Sequence, residues 1–411
     1  MLGLIALAVS GGWLIRQPDL LGLPYFHPHV VALVHLWLPG FLLSVCIGAL
    51  YQLMPVVLGA PLRLRVSFLW FHFGLHTVGV ILLVVAFATG RFAWAGVGGT
   101  LISLGIVILL VAVLRTFVRA DRRDAPAWCF PLATGWLAAT VLAGVTLAAN
   151  RHSPWLPLSM MDLLRAHAHL GLAGFFLTLL QGTTFQLIPM FTMGELRRPR
   201  LVWAGILATQ AGVLTLIPGL AWDQAVAIRA GTVIVAAGIA CSGIALQVTL
   251  HSRRRKKVEP GIKAFVTGAI LLGLATLIGA SLAFAPEGSA EVLRVVTTYG
   301  VVLIPGALSL MVLGMLCKIV PFLVWMRAYG PKVGKQPVPI ATALASRSLE
   351  YAWLALHLIG LGLLVAGLSI AGGVTLAIAT AFFLANMLRV LVHLRDRSPP
   401  VIILAKPHFL S

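Results

Sequence analysis

The sequence predicts an all-α integral membrane protein: twelve transmembrane helices arranged as three four-helix repeats around an approximate threefold axis. Three observations predict it, namely apolar runs of spanning length, basic residues that alternate between successive loops, and a motif that recurs three times. Sixty per cent of the 411 residues are apolar and ten per cent are charged. The apolar residues fall in runs of about 20 or more without period-2 alternation, which suits a helix crossing roughly 30 Å of hydrocarbon. Gly (41) and Pro (23) are frequent, as close contacts and kinks between membrane helices allow. No stretch reads as a soluble domain, so residues 1–411 form a single membrane domain, with repeat units of about 1–121, 122–258 and 259–411.

The net charge of +19 would suggest nucleic acid in a soluble protein. Divided at the apolar runs, however, one set of connections carries 24 of the 30 Lys and Arg residues, including Arg63, Arg122, Arg197, Arg253 to Lys257, Lys332, Arg397 and Lys406. The other set carries Arg16, Arg91, Arg151, Arg165, Arg229 and Arg294. The sets alternate strictly, which assigns a multi-pass topology with both termini cytoplasmic, as in a bacterial-type inner membrane. The basic excess is thereby explained by topology, with the lipid bilayer as partner and no nucleic acid. Cys46, Cys129, Cys241 and Cys317 stand alone and read as buried thiols. The stretch Met1 to Ile15 lacks a basic leader region and is counted as the first helix.

The repeat is the most informative feature. His35-Leu-Trp-Leu-Pro39-Gly40 leads to Tyr51-Gln52-Leu-Met-Pro55, and His169-Leu-Gly-Leu-Ala-Gly174 leads to Phe185-Gln186-Leu-Ile-Pro189. A third copy runs from Val301-Val-Leu-Ile-Pro305-Gly306 to Cys317-Lys318-Ile-Val-Pro321, with Val in the place of His. Basic loops follow each copy, and then a Trp-containing helix and a further apolar helix. The spans are 1–16, 29–56, 66–88, 94–118, 129–149, 161–190, 201–221, 228–250, 263–284, 291–324, 348–370 and 371–394. The proline of each Gln/Lys-x-x-Pro is expected to end or kink its helix, with the polar side chain serving the freed carbonyls.

Three like-oriented four-helix units resemble the catalytic subunit of heme-copper oxidases and its relatives. That resemblance implies inner helices 2, 6 and 10 around three pores. Intramembrane histidine is costly to leave unpaired and marks a site by default. Six qualify: His35, His72, His76, His167, His169 and His357. His251, His393 and His408 fall near cytoplasmic segments, while His27, His29 and His152 lie at the outer surface. At 100° per residue His167 and His169 project about 200° apart and so face neighbouring pores. The repeat frame then sets His35 opposite His167 in one pore, His169 with Tyr299 in the second, and Val301 with Leu33 in the third.

Opposed His35 and His167 suit the two axial ligands of a low-spin heme b, with copper as a further metal and His169 as a further metal ligand. His76 and His357 occupy corresponding positions on the third helices of their units, with Gln210 in unit two, and are expected nearer mid-membrane, where a second cofactor or hydrogen bonds to one could use them. Met190, Met193, Met311 and Met315 read as core, and Glu350 and Lys318 as capping and snorkelling groups. The resemblance implies copper-binding histidines on helix 7 and His-x-His on helix 10. Here those helices offer Gln210 and Thr-Thr-Tyr299-Gly-Val301, so a complete oxygen-reducing centre is not expected. The sequence therefore predicts a heme-binding membrane protein, oxidoreductase-like if it is an enzyme, in electron transfer or in handling oxygen or nitric oxide, with a redox subunit or cytochrome as partner. Its rivals are a transporter of metal, heme or small solute, and a cofactor-free structural subunit of a membrane complex.

Overall fold

The structure is a computed structural model that describes residues 2–255, 257–285 and 290–395. Lys256, Arg397, Lys406 and His408 lie outside the described residues. Within them the chain is helical, with no strand. The helices are α1 (Leu2–Arg16), α2 (Pro28–Leu58), α3 (Val66–Thr89), α4 (Ala93–Val118), α5 (Ala125–His152) and α6 (Met160–Thr192). They continue as α7 (Pro199–Ala221), α8 (Ala225–His251), α9 (Pro260–Phe284), α10 (Val292–Ala328), α11 (Arg347–Val365) and α12 (Ser369–Val392). Each lies within a few residues of its predicted span.

Eleven of the twelve are long and apolar enough to cross a membrane, and the chain is a multi-pass membrane protein. Only α1 falls short. Its 15 residues reach about 22 Å at 1.5 Å per residue, so the expectation of a full twelfth span is not met by length. It is nevertheless packed into the bundle: a Cβ on Gly11 would lie 3.4 Å from Ala377 of α12, and one on Gly3 would lie 2.9 Å from the Phe41 carbonyl of α2.

Successive helices meet along small residues, as membrane packing favours when no hydrophobic force drives helices together. Where α3 crosses α4, a Cβ on Gly79 would stand 2.7 Å from the Gly98 carbonyl, and one on Gly98 would stand 2.6 Å from the Gly79 carbonyl. Any side chain there would force the pair apart. Trp70, Phe71, Leu214 and Leu277 project outward, which suits contact with lipid chains.

The long helices α2, α6 and α10 form the interior, and each meets the other two. Trp37 of α2 donates to Ser309 Oγ of α10 (2.9 Å), and the α2–α6 and α6–α10 contacts involve the histidines described below. Each inner helix also opens into π geometry once, at Leu36–Leu43, Leu170–Leu177 and Val302–Leu308. These segments recur at the repeat spacing of the sequence motif. Proline does not impose them, because Ala173 takes the proline's place in α6. The shared residue is the glycine that follows, Gly40, Gly174 and Gly306, where a Cβ would press within 3.2 Å of a neighbouring side chain.

Pro55 and Pro189 stand three residues before the ends of α2 and α6, while α10 runs on past Pro321 for another two turns. The expectation that Gln52 and Gln186 serve freed carbonyls is not met among the described residues. Lys318 instead ion-pairs with Glu259.

Candidate functional site

Seven residues into α2 stands His35, and seven into α6 stands His167. At 1.5 Å per residue both lie about 10 Å from the ends of the helices opposite the basic loops. Their rings are neighbours across the α2–α6 contact, with centroids 6.4 Å apart and planes 13° from parallel. His35 Nδ1 donates to the Val31 carbonyl one turn back (2.7 Å), and His167 Nδ1 donates to the Thr140 carbonyl of α5 (3.0 Å).

Each bond fixes the tautomer with the proton on Nδ1 and leaves Nε2 with its lone pair, the arrangement by which proteins orient a metal-bound imidazole. No hydrogen bond engages either Nε2 among the described residues. The backing is equally specific. A Cβ on Gly144 of α5 would stand 2.9 Å from His167 Cε1, so only glycine leaves the ring where it is. Phe87 of α3 lies alongside His35, centroids 5.3 Å apart.

His169 occupies the other side of α6 and pairs with Tyr299 of α10, centroids 6.3 Å apart and planes 12° from parallel. Its Nδ1 donates to the Arg165 carbonyl (2.9 Å). Behind Tyr299, Gly279 of α9 plays the part that Gly144 plays behind His167, a Cβ there standing 3.1 Å from the ring. The segment carrying both histidines is latched at its end: the Arg165 guanidinium bonds Asp162 and reaches Asp223 (2.9 Å) in the α7–α8 turn. Val301 and Leu33, expected in the third pore, are buried in the central apolar core.

His76 and His357 are not brought to this pair. His76 Nε2 donates to the Pro39 carbonyl (3.1 Å) and His357 Nε2 to the Pro305 carbonyl (2.8 Å). Both carbonyls belong to the π segments, whose wider turns leave backbone groups in need of partners. Ser44 Oγ bonds both His76 Nε2 (2.9 Å) and the Pro39 carbonyl (3.3 Å). In the second unit the corresponding Gln210 donates to Thr178 Oγ1 (2.9 Å) and accepts from Trp136 (2.7 Å). The third helices thus act as clamps on the opened inner helices. His72 bonds the Tyr51 hydroxyl through Nδ1 (2.8 Å) and packs its ring on Gly105.

Met311 and Met315 are core residues, while Met190 and Met193 are exposed. The four cysteines are free, three of them buried. The residues that sequence reasoning passed over are the two backing glycines, Gly144 and Gly279. Their signal was available, since they sit 135 residues apart on corresponding helices, close to the repeat period. Among the described residues no cluster of three His, Cys, Asp or Glu side chains could hold a metal ion unaided. The chain matches no family model and no curated protein.

Proposed function

We propose that this chain is a heme-binding membrane protein in which His35 and His167 are the two axial ligands of one b-type heme. On this reading its three repeats close into a ring with an approximate threefold axis, as in heme-copper oxidase catalytic subunits. The observation that carries the proposal is the geometry of the pair. A metal held between two imidazoles at about 2.0 Å from each nitrogen, with centroids about 1.1 Å behind each nitrogen, needs centroids about 6.3 Å apart. The observed separation is 6.4 Å, with near-parallel rings.

Two protein donors on opposite sides leave the equatorial positions to be filled by the cofactor itself, which a porphyrin does. The ring closure draws support from the mutual contacts of α2, α6 and α10 and from the π segments that recur at the motif's spacing.

When bound, the heme supplies reversible one-electron chemistry of its iron. The protein's part is to hold the two ligands. The Nδ1–H bonds to Val31 and Thr140 leave both Nε2 lone pairs open and raise their donor strength, and Gly144 sets the depth of the His167 ring. With both axial positions taken by the chain, the site suits electron transfer better than binding of oxygen or nitric oxide. Its place near the ends opposite the basic loops suits exchange with a redox subunit or cytochrome at that face. The test is a reduced-minus-oxidised optical spectrum of the purified protein, for which the sharp bands of a six-coordinate b heme are expected. A featureless spectrum would remove the proposal and favour a transporter or a structural subunit.

A further inference from the structure

The first turn of α11 carries Arg347 and Glu350, a spacing at which opposite charges on a helix ordinarily meet. Elsewhere in the molecule such a pair does close: Arg165 bonds Asp162 at i,i+3 on α6. Arg347 and Glu350 stay apart. Both instead line a cavity of about 250 Å³ at the basic-loop end of the bundle, between the start of α9, α10 and the start of α11.

Glu350 is only 7% exposed, and among the described residues no hydrogen bond or ion pair reaches its carboxylate or the Arg347 guanidinium. The other acid in the cavity, Glu259, is already engaged by Arg255 and Lys318. Lys318 and Arg347 both attract the Glu350 carboxylate across the cavity without bonding it, so one carboxylate and one guanidinium remain open to hydrogen bonding, their Cβ atoms about 5–6 Å apart by helix geometry. Water would hydrate Glu350 but gives no reason for the two charges to be held separate. A ligand bearing both charges does, since each of its ends satisfies one side chain and a buried carboxylate gains the partner it lacks.

We propose that this cavity binds a compact zwitterion with a primary ammonium and a phosphate on a two-carbon link, the chemistry of a phosphoethanolamine group. The ammonium donates to the Glu350 carboxylate. The phosphate accepts from the Arg347 guanidinium at the N-terminus of α11, where the helix dipole adds to its attraction. A trimethylammonium group has no N–H to donate and is bulkier, so the site discriminates against choline. Met190 and Phe322 line the same cavity and are 42% exposed each. They form an apolar rim that suits a lipid whose headgroup enters while its chains stay in the bilayer.

The test is native mass spectrometry of the full chain in detergent, titrated with phosphatidylethanolamine or with phosphatidylcholine of the same acyl chains. The wild type is expected to hold one phosphatidylethanolamine about tenfold more tightly than phosphatidylcholine. Glu350→Gln should abolish that preference, and Arg347→Gln should weaken retention of both lipids, because both carry the phosphate. Arg347 is exposed, so its variant decides the matter even if Glu350→Gln folds poorly. Free phosphoethanolamine that displaces the lipid would identify the occupant as a soluble aminoalkyl phosphate, and failure to displace it would identify the lipid. Equal retention of both lipids by the wild type, or retention that Arg347→Gln leaves unchanged, would overturn the assignment.

Discussion

His35 and His167 are held through Nδ1, whereas His76 and His357 are held through Nε2. All four are membrane-embedded imidazoles on one scaffold, and the atom that bonds the backbone separates their roles. An Nδ1 anchor leaves the outer nitrogen, the one that reaches away from the side chain's own stem, free to bind a metal. An Nε2 anchor spends that nitrogen on a carbonyl. In this protein the carbonyls are those of Pro39 and Pro305, both within π segments. On the proposed reading the first pair holds a metal, while the second bonds the chain's own backbone.

That contrast can be broken in several places. The largest effect is expected from Gly144→Val. Its Cβ would meet His167 Cε1 at 2.9 Å, so the ring must move by more than a metal bond tolerates. Heme content per protein should fall by about tenfold or more, a loss on the scale of the metal-affinity cost of a disturbed ligand, as read by extraction and absorbance. An unchanged heme content would show that His167 is not a ligand.

His357→Ala should act on the other arm of the comparison. It leaves the Pro305 carbonyl buried without its donor, at about 1–3 kcal/mol for the orphaned group, with a cavity cost in addition. The midpoint of unfolding in mixed detergent micelles should drop while the visible spectrum keeps its position. A spectrum that changes would move His357 from clamp to cofactor ligand.

A smaller effect is expected of Ser44→Ala, which removes a hydroxyl bonded to both His76 and the Pro39 carbonyl. Because His76 remains on the carbonyl, the loss should be about 1 kcal/mol, again without spectral change. An effect as large as that of His357→Ala would mean that serine, not histidine, is the principal clamp of the first unit.

Much of this was legible in the sequence, and what was not has a physical reason. Helix positions followed from apolar runs because the bilayer fixes their length, although α1 stops short of it. The repeat frame put His35 level with His169, and the 100° turn per residue put His167 on the opposite face. The structure brings together the residues that this frame paired, His35 with His167 and His169 with Tyr299.

The anchoring of His76 and His357 was not legible, because it depends on carbonyls that lie within π segments. The π segments coincide with the repeated motif, but nothing in the motif's residues announces that its backbone opens there. The same limit hid the separation of Arg347 from Glu350. Sequence spacing brings such charges within reach, and only the surrounding cavity shows that they do not meet.

Whether His35 and His167 share one iron, as proposed, is tested most directly by substituting each with alanine. Low-temperature optical and electron paramagnetic resonance spectra of wild type, His35→Ala, His167→Ala and His72→Ala would be compared at equal protein concentration. The wild type and His72→Ala should show the same low-spin six-coordinate signal, and its anisotropy should be that of near-parallel imidazole planes. Each of the other two should turn high-spin or lose the heme. If His35→Ala and His167→Ala both keep the wild-type six-coordinate spectrum, the ligand pair lies elsewhere and the account is contradicted.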